Sequence, residues 1–242
     1  MKPLLAPLLL LALAALPAAA ADLALSPVVL QLDREHTRDA LHVANRGAEP
    51  VLLQAEAIAW RREGGVDRDA PTGDVIVNPP VFTVQPGQTQ IVRVGLRRHA
   101  AATQEATYRI VLREVPAPRD AADPRFSGSV RVLVALRVPL YVLPATVRRD
   151  ERWALHRDAA GRLHAQVRND GNVHLKVAAL RLFEADAPRP AAAGQAVGAV
   201  VFPGEVRSFE LAAEAPTTDR PLRLEVQTDR GAQYVALDPA RP

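Results

Sequence analysis

The chain has 242 residues, 48% of them hydrophobic and 24% charged, fractions that fit a folded protein and not a disordered tail. Its 30 basic and 27 acidic residues leave a net charge of +3. The cations are almost all Arg, scattered among acids, so no basic face for nucleic acid is implied. With no Cys, disulfides, thiolate metal sites and Cys nucleophiles are excluded, and 4% aromatic content offers little for stacking bases.

The chain opens with Met1-Lys2-Pro3, then an apolar run from Leu4 that closes on Ala18-Ala19-Ala20-Ala21 before Asp22. A positive start, an apolar centre and small residues at the end predict a secretory signal peptide over 1–21, cleaved after Ala21 or Ala20. No later segment approaches a membrane span, so the exported chain is expected to be soluble, without stable membrane insertion.

From Leu23 to Val115, short alternating runs are broken by turn residues. Leu52 to Trp60 reads as a strand, followed by a hairpin turn at Gly64-Gly65. Asn78-Pro79-Pro80 stops another strand, and Gln85-Pro86-Gly87-Gln88 is a turn before an alternating run from Gln90 to Leu96. Thr107 to Val115 is a further strand, closed by Pro116. This spacing predicts an all-β sandwich with little helix.

After a polar loop over 117–129 come Val130, Val132, Val134, Leu136, Val138 and Leu140, at strict period 2. The run is longer than an ordinary strand. Its apolar row can fill a core. Alternatively, part of it pairs with an extended segment of another chain, with main-chain bonds giving affinity and alternate side chains giving specificity. Beyond Pro144, strand candidates recur at Leu163–Arg168, Val177–Glu184, Val197–Phe202, Ser208–Ala212 and Pro221–Thr228. Asn169-Asp170-Gly171-Asn172 is a turn, and 185–196, rich in Ala and Pro, reads as a loop. The division expected is a first domain over 22–144, a linker over 145–150 and a second β-sandwich domain over 151–242.

Signatures of catalysis are missing. The six His carry no zinc-protease spacing, no Ser sits in Gly-x-Ser-x-Gly, and no Gly-rich phosphate loop is present. The His of the second half (156, 164 and 174) read as exposed or half-exposed strand residues. The acid pairs Asp67 with Asp69 and Glu205 with Glu210 read as solvated turns. No enzyme activity, cofactor or metal is predicted.

Several stretches together resemble the periplasmic pilus-assembly (fimbrial) chaperone family, of which this chain looks like a divergent member. They are Leu41-His42-Val43-Ala44-Asn45, Asn78-Pro79-Pro80-Val81-Phe82 with Pro86-Gly87, and Ile91-Val92-Arg93-Val94. The most telling are Tyr108-Arg109-Ile110-Val111-Leu112-Arg113-Glu114-Val115-Pro116 and Leu136-Arg137-Val138-Pro139-Leu140-Tyr141-Val142-Leu143-Pro144, with Asn169 to His174 in the second half. The resemblance implies two immunoglobulin-like sandwiches in an L shape, and partners that are pilus or fimbrial subunits and an outer-membrane usher. It implies donor-strand complementation, in which Val130, Val132, Val134 and Leu136 fill the gap in an incomplete subunit.

In most members an Arg on the first strand and a Lys late in the long strand hold the subunit's C-terminal carboxylate. Those positions fall here at Ser26-Pro27-Val28 and Pro139, neither of them basic. Arg109 and Arg137 are the candidates to replace them, since a carboxylate favours guanidinium donors; ordinary surface arginines are the alternative. The exposed apolar row also predicts self-association of the free protein through the same strand. A different function, a structural or adhesive β-sandwich subunit of a surface fibre, is disfavoured by the short stretch from Asp22 to Ser26, which leaves no free extension to donate.

Overall fold

A computed structural model describes residues 22–97, 102–116, 132–184, 189–190, 192–211 and 221–237. The expected signal peptide over 1–21 and Val130 lie outside them. Among the described residues there is no helix. Four sheets form two sandwiches, so the chain is all-β.

The first sandwich contains β1 (Leu23–Ser26), β2 (Leu30–Leu32), β3 (Arg38–Asn45), β4 (Val51–Glu63), β5 (Val66–Pro71), β6 (Val75–Asn78), β7 (Val81–Val84), β8 (Thr89–Leu96), β9 (Ala106–Glu114) and β10 (Ala135–Val142). One sheet runs β1-β3-β8-β6. The other runs β2-β10-β9-β4-β5, with β7 also on β4. The first stretch of chain serves both sheets: β1 lies antiparallel to β3, and β2 lies parallel to β10.

Alternation decides which side chains enter the core. Leu41 and Val43 of β3 and Val92 and Val94 of β8 point inward to meet Leu53, Ile110, Leu112, Val138 and Leu140 from the facing sheet. Each such side chain stabilises the fold by about 1.5–3 kcal/mol relative to exposure.

The second sandwich packs β11 (Glu151–Arg157), β12 (Leu163–Asn169) and β15 (Val206–Glu210) against β13 (Leu175–Glu184), β14 (Ala192–Val201), β16 (Leu222–Thr228) and β17 (Gly231–Leu237). Its core is built from Leu163, Ala165, Val167, Leu180, Leu182, Phe209, Leu224 and Val226.

Three stretches differ from the sequence reading. Ala192 to Ala196, expected in a loop, belongs to β14, where Leu182 and Ala192 to Leu180 and Gly194 are in register. Small residues without branched side chains do not announce a strand, yet their backbone groups complete the ladder on β13. β5, with no apolar alternation, exists because the Gly64-Gly65 turn, at φ 58° and 79°, folds it back onto the end of β4. Among the described residues of the long period-2 run, the ladder strand starts at Ala135, and a backbone bond from Glu114 N–H to the Val134 carbonyl (2.9 Å) extends the pairing before it.

Candidate functional site

β10 is flanked unequally. On one edge it pairs with β9 along its whole length, Ala135 opposite Arg113 through Val142 opposite Ala106. On the other edge β2 reaches only Leu140, Tyr141 and Val142. Ala135 to Pro139 therefore have no ladder partner on that side among the described residues. Pro139, which has no N–H to donate, sits in the stretch with a single neighbour, where an imino acid is tolerated.

The apolar row changes character along this strand. Val138 and Leu140 are fully in the protein's own core, Leu136 packs partly against it, and Val134 is half-buried. Val132 is 72% exposed. One face of one segment thus passes from core to exposed surface, beside a backbone edge with no ladder partner among the described residues. Such an edge invites a further strand.

The opposite face of the same sheet collects charge. Pro139 of β10 lies opposite Arg109 of β9, and Arg109 opposite Ile58 of β4. Trp60 of β4 lies opposite Asp69 of β5. Directly opposed residues share a face, and this places Arg109, Arg137, Asp67, Asp69, Trp60 and Tyr141 together.

The two candidate anchor arginines are brought together by one carboxylate. Arg109 Nη1 donates to Asp69 Oδ1 at 2.9 Å, and Arg137 Nη1 donates to Asp69 Oδ2 at 2.5 Å. Arg109 Nη2 also donates to Asp67 Oδ2 at 2.5 Å, and its guanidinium carbon lies 3.9 Å from the centre of the Trp60 ring, a cation–π contact. Burial alone would raise the Asp67 carboxyl. Hydrogen bonds from Arg109 and Arg62 outweigh it and hold the group below its ordinary value. Asp67 and Asp69, read from sequence as solvated turn acids, are strand residues committed to arginines. The signal was present: two acids at period 2 share one strand face.

The second sandwich closes one end of this face. Arg62 Nη1 donates to the Val200 carbonyl at 2.7 Å and to Glu205 Oε1 at 3.1 Å, so Glu205 too is more than a turn acid. The ring of Phe202 meets Trp60 edge-on, with centroids 4.8 Å apart. His174, expected to be an exposed or half-exposed strand residue, is held between the domains. Its Nδ1 lies 2.9 Å from Glu105 Oε2, and its ring stacks on Tyr141. Burial pushes the Tyr141 hydroxyl well above its ordinary value, so it stays neutral beside these acids. No cluster of three metal-ligating side chains occurs among the described residues.

Residues 22–148 match the family model for the pili and flagellar-assembly chaperone, PapD N-terminal domain. Comparison with curated proteins finds no sequence match. Similar solved structures include a chain of the CsuC–CsuE chaperone–tip adhesion subunit pre-assembly complex from archaic chaperone-usher Csu pili of Acinetobacter baumannii. That chain is 14% identical, with 90% of this chain and 99% of that one covered at a TM-score of 0.63. A chain of the SafA pilin–SafB chaperone complex of Salmonella enterica is 16% identical, with 90% and 97% covered and a TM-score of 0.60. The CupB2 chaperone of Pseudomonas aeruginosa is 18% identical, with 88% and 98% covered and a TM-score of 0.56. At these identities the structures establish a shared fold. The family model spans more than half of the sequence, and the chain belongs to the pili and flagellar-assembly chaperones, a family of periplasmic, non-enzymatic chaperones.

Proposed function

We propose that the protein captures pilus or fimbrial subunits by lending them a strand, and then passes them to an outer-membrane usher. A cleaved signal peptide over 1–21 exports it to the periplasm. The capturing domain is 22–144, joined by a linker over 145–150 to a second domain over 151–242. Val130, Val132, Val134 and Leu136 are the donated side chains. A guest strand pairs with the open edge of Ala135–Pro139 and continues past it, and the guest's C-terminal carboxylate is held by Arg109 and Arg137.

The observation that carries this reading is the one-sided pairing of β10, next to an apolar row that leaves its own core at Leu136. Each donated Val that becomes fully buried in a guest contributes about 1.5–3 kcal/mol. Each new backbone bond adds about 0.5–1.5 kcal/mol net. No nucleotide is needed, because the driving force is burial of surface that both partners expose beforehand. The solved complexes of a chaperone with a tip adhesion subunit and with a pilin supply the class of guest.

Co-expression with a candidate pilin-type subunit and purification from the periplasm should give a one-to-one complex. The double variant Val132→Asp with Val134→Asp should fold and lose that complex. Undiminished capture by the folded double variant overturns the reading.

A further inference from the structure

The two candidate anchor arginines are already holding a carboxylate. Asp69 bridges them with one oxygen to each guanidinium, at 2.9 Å to Arg109 and 2.5 Å to Arg137. This is the arrangement a chain-terminal carboxylate would adopt between the same donors. Around it, Asp67 takes Arg109 Nη2 and Arg62 Nε, and Arg62 reaches Glu205. Three guanidiniums thus face three carboxylates, and the cluster carries no net charge. A fourth carboxylate entering beside Asp69 would make it negative and would place like charges in contact, which disfavours both. Entry with departure of Asp69 keeps it neutral.

Asp69 is placed to leave. It rides on β5, an edge strand with all six residues exposed and β4 as its sheet neighbour. The strand turns on Gly64 and Gly65, both at positive φ, a conformation glycine adopts without steric cost. Asp67, nearer the hairpin, shares Arg109 with Asp69, but its second partner, Arg62, is 12% exposed, whereas the second partner of Asp69, Arg137, is 50% exposed.

We propose that Asp69 is an internal occupant of the two-arginine anchor and that the guest's C-terminal carboxylate displaces it, an inference that rests on Arg109 and Arg137 being that anchor. Capture is then an exchange of one carboxylate for another. The arginines yield only the difference between the two, so the anchor alone does not retain a small free carboxylate. A guest must also extend the open edge of β10 to hold. Asp69 therefore sets specificity: it reserves the arginines for a carboxylate delivered at the end of a strand.

The test uses fluorescence anisotropy with a synthetic peptide of alternating Val and Thr, made with a free C-terminal carboxylate and as the C-terminal amide. The proteins are the wild type, Asp69→Asn, Asp69→Ala, and Arg109→Ala with Arg137→Ala, each checked for folding by circular dichroism. Both Asp69 variants should bind the carboxylate peptide about tenfold more tightly than wild type and the amide no better. The double arginine variant should lose the preference for the carboxylate. A carboxylate preference in wild type that neither Asp69 variant enlarges overturns the inference and leaves the anchor intact. No carboxylate preference in any of the proteins, absence of binding included, removes the anchor and this inference with it.

Discussion

Tyr141 and His174 stack across the junction of the two sandwiches, their ring centroids 3.7 Å apart and their planes 14° from parallel. Tyr141 belongs to β10, so the strand with the open edge and the contact between domains are one element. On the other side of the contact, the imidazole Nδ1 and the backbone N–H of His174 both meet Glu105, whose side chain is fully buried. Asn172 adds bonds to the Thr103 and Thr146 carbonyls, both at 2.8 Å. The second sandwich is thus fastened to the end of β10 that carries Tyr141.

His174→Ala should therefore cost more than the loss of a surface ring. It leaves a buried carboxylate with the backbone N–H of residue 174 as its remaining partner here, a loss of about 2–4 kcal/mol. Glu105→Gln, which keeps an acceptor for that N–H, should cost less. Urea denaturation of both variants checks the order, and small-angle scattering should show a wider range of interdomain arrangements for His174→Ala. Equal stability of His174→Ala and wild type would contradict the buried-pair argument.

Asn45 and Asn169 perform the same task in the two sandwiches. Each closes an inward-facing strand and accepts a bond from the N–H of the Gly two residues on, at 2.9 and 3.0 Å. Each also donates twice through Nδ2: Asn45 to the Glu49 and Val84 carbonyls, Asn169 to the Val173 and Val201 carbonyls. A carboxylate at either position would face two carbonyl oxygens while buried. Asn45→Asp or Asn169→Asp should each cost about 3 kcal/mol or more, and chemical denaturation reads this directly. Gly171→Ala should be damaging as well, because its added Cβ would stand 2.7 Å from the Arg148 carbonyl oxygen.

These asparagines show how unevenly the sequence speaks. Asn169-Asp170-Gly171-Asn172 is plainly a turn, but its burial and its twin at Asn45-Arg46-Gly47 follow only from the packing of two sheets. Strands with apolar alternation, such as β3, β8, β9 and β12, are readable because period 2 marks a face toward a core. β5 and β17 are not, since β5 has no apolar alternation and exposes all six residues, and β17 leaves Tyr234 exposed. At the site, residue spacing and family resemblance name a candidate donor row and two candidate arginines. The period-2 spacing of Asp67 and Asp69 marks a shared strand face, but the contact of Asp69 with Arg109 and Arg137 depends on β5 folding back across the sheet, which spacing alone does not give.

Acid should weaken the charged cluster before the apolar cores. The Asp67 carboxyl is held below its ordinary value, so its ionised form stabilises the folded state. That contribution is complete above the unfolded value near 3.8 and is lost as pH falls through the lower folded value. Asp158 behaves alike in the second sandwich, lowered chiefly by the backbone N–H of Arg162 at 2.9 Å. Thermal midpoints followed from about pH 5 to about pH 2 should fall for wild type, and fall less for Asp67→Asn. A wild-type midpoint flat across that window would contradict the assignment.

The two candidate anchor arginines should separate when truncated one at a time. Arg137 has a half-exposed side chain and a single carboxylate partner, Asp69, among the described residues, so Arg137→Ala should change stability by no more than about 1 kcal/mol. The Arg109 side chain is only 14% exposed. It lies over Trp60 and holds both Asp67 and Asp69, so Arg109→Ala should cost about 2 kcal/mol or more. Capture of a pilin-type subunit should be reduced by both. Thermal unfolding run beside the capture assay then tells anchoring from folding: Arg137→Ala is the variant expected to lose the guest while keeping the fold. Full capture by a stable Arg137→Ala protein would assign that arginine to the surface and leave Arg109 as the sole anchor candidate of the pair.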